Sequence, residues 1–182
     1  MTKKHLYSAL ITLLAIFALS VIICFIDINT GSASSPSNYI TQLRESFKRS
    51  SSSDTVYFRN EVADYFKKVS ETLSSISASK GIQQPNISQN IGRINNISNR
   101  IRSSNNKNQL IMNSKEAISV TVGTLRDIKN TAGIQNPEID MRLARIDRLN
   151  QTLNTQDTLN YKRKITGIID QISSVIEMIS AQ

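Results

Sequence analysis

The chain has no Trp, one Cys, one His, three Pro and six Gly in 182 residues, and aromatics make up 5% of it. Each scarcity excludes something. A single cysteine, Cys24, permits no disulfide within the chain, so the fold is stable without such staples. The single histidine, His5, lies at the extreme N-terminus. Beyond it no serine has an imidazole partner, which excludes a Ser-His-Asp arrangement, and no Cys/His set has metal-ligand spacing. No Gly-rich phosphate loop occurs. The basic residues are scattered and not interleaved with aromatics as a stacking platform requires, which argues against nucleic acid as a partner. No catalytic, cofactor-binding or metal-binding residue is nominated.

Charge is missing from one long stretch. Residues 6–26 hold no Asp, Glu, Lys or Arg. Leu6, Leu10, Leu13, Leu14, Phe17, Leu19, Ile22 and Phe25 give the run its apolar character. As a helix it extends about 30 Å, the thickness of a bilayer core. Lys3, Lys4 and His5 precede it and Asp27 follows, so the positive-inside rule places residues 1–5 in the cytoplasm and the bulk of the chain outside. The run is longer than the apolar core of an ordinary signal peptide, which favours an uncleaved anchor. Gly31-Ser32-Ala33 is the alternative, a place for cleavage. Ser-rich residues 27–36 read as a short stalk, and 50–53 as a second joint.

The net charge is +8. Two of the 22 basic side chains precede the run and all 14 acids follow it, which leaves +6 on the remainder. Such an excess suits anionic lipid, cell-wall polymer or an acidic partner, and equally an ordinary solvated surface.

Residues 37–182 carry an internal repeat. Gly81-Ile82-Gln83-Gln84-Pro85 returns fifty-two residues later as Gly133-Ile134-Gln135-Asn136-Pro137. Glycine just past a helix can take the left-handed conformation that ends it, and proline suits the first position of the next helix. After the turns, Ile87, Ile91, Ile94, Ile97 and Ile101 match Ile139, Leu143, Ile146, Leu149 and Leu153. Their 4, 3, 3, 4 spacing is the stripe of an amphipathic helix. Before the turns, Val62, Phe66, Val69, Leu73 and Ile76 follow a heptad seam, matched by Ser114, Ile118, Thr121, Leu125 and Ile128. Ile165, Ile169, Ile172, Ile176 and Ile179 repeat that seam once more, on a helix whose wide apolar face predicts deep burial.

The spacing predicts helices over 54–80, 86–103, 110–132, 137–154 and 157–181, with a shorter one at 37–49. The fold class is therefore all-α: one transmembrane helix, then an antiparallel bundle of αα-hairpins with a repeat of about 52 residues. One stretch reads differently by itself. Ile118, Val120 and Val122 alternate and are β-branched, as in a strand.

Arg93 and Arg145 occupy equivalent positions, each just before a core isoleucine. Either their stems pack along the apolar edge with the heads in water, or they contact an anionic partner. Glu138 is placed to pair with Arg142 at i, i+4. The expected function is non-enzymatic: a single-pass inner-membrane protein whose exported helical domain has a structural or assembly role through contacts with other proteins or itself. Two alternatives are an extracytoplasmic ligand-binding or sensor domain acting through a membrane partner, and a membrane-active lysis-type factor.

Overall fold

The computed structural model describes residues 55–153 and 158–182. Over these residues it is all-helical. The order is α1 Thr55–Ser79, α2 Pro85–Arg102, α3 Lys107–Thr131, α4 Pro137–Gln151 and α5 Thr158–Ser180, with no strand among the described residues. The apolar run at 6–26, with Leu6 through Phe25, lies outside the described residues, as do the stalk and the helix expected at 37–49. Among the described residues no helix is long and apolar enough to cross a membrane.

The two glycine turns close their helices by the same device. Gly81 and Gly133 have φ of +65° and +66°. The Gly81 amide donates to the Ala78 carbonyl at 3.1 Å and the Ile82 amide to the Ser77 carbonyl at 2.8 Å. In the second turn Gly133 donates to Asn130 at 3.1 Å and Ile134 to Lys129 at 3.0 Å. This is the Schellman arrangement, which satisfies carbonyls that the helix end would leave orphaned. Ile82 and Ile134 fold back and are buried against the core. Pro85 and Pro137 then start α2 and α4.

Successive helices pack as antiparallel neighbours, and α3 also packs on α1 and α5. Side chains join α1 to α5. The Tyr65 hydroxyl donates to the Ile169 carbonyl at 3.1 Å and lies 3.0 Å from Ser173 Oγ. Phe58 meets Tyr161 edge to face at 5.8 Å. Because 58 pairs with 161 and 65 with 169 and 173, α1 and α5 run parallel and in register. Thus α1, α3 and α5 form a parallel inner set. Helix α2 lies against α1 and α3, and α4 lies against α3 and α5.

The seam residues on all three inner helices are buried, as their spacing predicts. On α5, only Arg163 and Ser180 are exposed among its described side chains. The strand-like stretch is helix. Ile118 and Val122, one turn apart, are fully buried, and Val120 packs on the flank of the core. Burial of each such side chain stabilises by about 1.5–3 kcal/mol. The β-branched penalty in a helix is only about half a kcal/mol per residue, so packing decides. The polar seam position Ser114 is accounted for as well: its hydroxyl donates to the Leu110 carbonyl at 2.8 Å and lies 2.9 Å from the Tyr161 hydroxyl. Burial pushes that phenol's pKa well above its usual range.

Two boundaries differ from the periodicity by more than one residue. α3 starts at Lys107, three residues early, because Asn106 Oδ1 accepts the Gln109 amide at 2.9 Å and caps it. α4 ends at Gln151 because the Thr152 and Leu153 amides turn back to the Leu149 and Asn150 carbonyls, which tightens the last turn. Leu153 is buried beyond the helix end.

Candidate functional site

The two hairpins share most of their apolar positions and differ in charged ones, and the difference shapes the surface. In the second hairpin, Lys129 of α3 reaches Asp140 of α4 at 2.8 Å, with the lysine side chain nearly buried. One turn earlier Arg126 pairs with Asp147 at 2.5 Å. These two pairs bridge α3 and α4 along the outside of the seam. Fifty-two residues upstream the same positions hold Ser77 and Ser88, then Ser74 and Asn95. Long charged side chains are thus replaced by short neutral ones.

A cleft of about 640 Å³ stands beside the first turn, lined by Ser74, Ser77, Ala78, Gly81, Ile82, Gln83, Pro85, Ser88 and Ile91. The lining combines apolar Ala78, Ile82, Pro85 and Ile91 with Ser74, Ser77 and Ser88. Ser77 is 8% exposed, and its Oγ is buried with no hydrogen-bond partner among the described residues. A buried hydroxyl of that kind costs about 1–3 kcal/mol when left unpaired. The helix start also differs. Asn136 Oδ1 caps the Glu138 amide of α4 at 3.0 Å, and Glu138 and Asp140 sit in its first turn. At α2, Gln84 makes no side-chain cap and the first turn has no acid.

The expected repeat pair diverges too. Arg93 donates to Glu116 Oε1 at 2.8 Å, and Arg100 donates to Glu116 Oε2 at 2.5 Å. The Arg93 guanidinium, foremost, holds the Glu116 carboxyl below its usual range, against the opposing effect of desolvation. Arg93 is therefore engaged between α2 and α3. Arg145 is exposed on α4 and has no ion pair among the described residues. The position on α5 equivalent to Glu116 is the buried Ile168, which offers it no carboxylate. Ile94 and Ile146, next to the two arginines, are fully buried.

Two further carboxylates are tied to a neighbouring helix or to their own. Asp64 pairs with Arg102 across α1 and α2, and Arg142 donates to Glu138 from both Nε and a terminal nitrogen within α4. Among the described residues no three His, Cys, Asp or Glu side chains gather as metal ligands. Sequence reasoning placed the turns, Gly81, Pro85, Gly133 and Pro137, and missed the cleft between the two residues that flank the first of them. The signal was present: comparison of the repeats at polar positions, Ser77 with Lys129 and Ser88 with Asp140, shows where volume is lost. Comparison with models of protein families, with curated proteins and with solved structures finds no match to this chain.

Proposed function

We propose that this is a membrane-anchored assembly protein, held by residues 6–26 with its N-terminus in the cytoplasm, whose helical domain makes contacts with other proteins or further copies of itself outside the cytoplasm. What carries this reading is the combination of an uncharged apolar run with a hairpin-repeat domain in which four carboxylates join neighbouring helices. Asp64, Glu116, Asp140 and Asp147 each bridge two helices. Groups used in that way build a rigid scaffold and leave its outer faces for recognition. Arg145, exposed and unpaired among the described residues, is one such contact point.

Crosslinking in native membranes, followed by identification of the attached chains, tests the proposal. A photoreactive residue at position 145 should yield discrete species heavier than the monomer. Recovery of monomer alone would refute the assembly role. Extraction of the protein by alkaline carbonate would refute the anchor.

A further inference from the structure

We propose that the cleft at the α1–α2 turn receives a carboxylate side chain from a protein partner, supplying from outside the negative charge that the second hairpin carries itself. The inference rests on the assembly reading and names the chemistry of one contact.

Four observations converge. The α2 N-terminus has neither a side-chain cap nor a first-turn acid, so the positive end of its dipole is uncompensated within the helix. At the equivalent place in α4, Asn136 caps the amide and Glu138 and Asp140 supply the charge. Second, Ser77 is a lining residue whose buried Oγ has no partner among the described residues, and Ser74 and Ser88 line the cleft as well. Third, the sole charged residue from Thr72 to Gly92 is Lys80, beside the turn glycine. Fourth, the cleft has room, because Lys129, Asp140 and Arg126 of the second hairpin are serines here.

A cation is the rival occupant, standing where the Lys129 head lies in the second hairpin. It would meet a helix N-terminus, and none of the lining residues is an acid. Asp127 of α3 is not in the lining; the Asn86 side-chain amide faces it at 3.5 Å. A carboxylate meets a dipole end and serine hydroxyls instead, and Lys80, next in sequence to the lining Gly81, adds a charge of the favourable sign nearby in the chain. Ile82, Ala78 and Ile91 suit the methylenes of a glutamate stem.

The test uses the full ¹⁵N-labelled chain in non-ionic detergent, titrated with a blocked tetraglutamate peptide, a blocked tetralysine peptide and inorganic phosphate. Tetraglutamate should move the amide signals of Gly81, Ile82 and Asn86 saturably and leave Gly133, Ile134 and Glu138 unmoved. Ser88→Asp places the missing acid on an exposed first-turn position, and should weaken binding by about tenfold. Lys80→Ala should also weaken it and serves as the second variant. Unchanged affinity in both variants, equal shifts at both turns, or preference for tetralysine would overturn the proposal. Phosphate that binds as tightly as the peptide would overturn the assignment to a side chain. Partners captured by crosslinking without any tetraglutamate effect would sink the cleft alone. Peptide binding without captured partners would sink the assembly reading alone.

Discussion

Three glycines to which a methyl group could be added without contact should respond to it with opposite signs. At Gly81, Gly133 and Gly123 an added Cβ meets nothing within 4 Å. Sterics with neighbours are therefore equal, and backbone conformation is what differs. Gly81 and Gly133 have φ near +65°, where an L-residue pays about 1–2 kcal/mol. Loss of unfolded-chain freedom offsets about 0.4–1 kcal/mol of that, leaving each alanine variant less stable by roughly 1 kcal/mol. Gly123 lies inside α3, where alanine is favoured by about 0.8–1.0 kcal/mol. Urea unfolding of the full chain, followed by circular dichroism at 222 nm, should separate Gly133→Ala from Gly123→Ala by about 2 kcal/mol. At about 2–4 °C per kcal/mol the melting temperatures should differ by several degrees. Gly133→Asn should lose less than Gly133→Ala, because asparagine tolerates the left-handed region better. Stabilisation by both Gly133→Ala and Gly123→Ala would refute the reasoning, since φ would then not control the outcome.

Other consequences are testable in the same way. Asn106→Ala removes the cap on α3 and should cost about 1 kcal/mol in urea unfolding, with amide exchange raised in the first turn of that helix. Tyr161→Phe removes a buried hydroxyl but leaves Ser114 bonded to the Leu110 carbonyl, so the expected loss is only about 1 kcal/mol; a loss above three would show that the hydroxyl anchors more than this pair. Glu116 has a depressed folded pKa because of Arg93 first and Arg100 as well. Its contribution is complete above the ordinary value of 4.5 and fades as pH falls through the lower folded value. The advantage of the wild type over Glu116→Gln should thus be constant at neutral pH, shrink in acid, and stay within about 1 kcal/mol since the arginines are half exposed. An advantage that grew on acidification would contradict the ion pair.

The heptads and the glycine turns were legible because apolar burial leaves a strong period in the sequence. Val62 to Ile76 and Ile165 to Ile179 are buried as their spacing predicts. The start of α3 was not legible from periodicity, because Asn106 acts through a side-chain hydrogen bond four residues before the first apolar position. The parallel packing of α5 on α1 was equally hidden. It rests on Tyr65, Ser173, Phe58 and Tyr161, which lie outside the five-residue seams and more than a hundred residues apart. Arg93 and Arg145 looked equivalent because the repeat matched their own positions. Their environments differ because Glu116 has become Ile168 on the next inner helix. The candidate cleft escaped notice for a related reason: it arises from missing volume at Ser77 and Ser88, and a missing side chain has no periodic signature.

The direction of the inner helices bears on how the protein can be handled in an experiment. Residue 55 begins α1, and the Gly81 turn lies at the other end of that 25-residue helix, about 37 Å away. Because α3 and α5 run parallel to α1, the Gly133 turn and the last turn of α5 share that far end. A reporter domain fused behind Gln182 would therefore emerge at the same end of the bundle as the cleft, where it can hinder whatever approaches. Placed ahead of α1, the same reporter would leave both glycine turns uncovered. Labelling strategies for this chain should be chosen on that basis, and a loss of binding seen only with a C-terminal fusion would itself locate the contact.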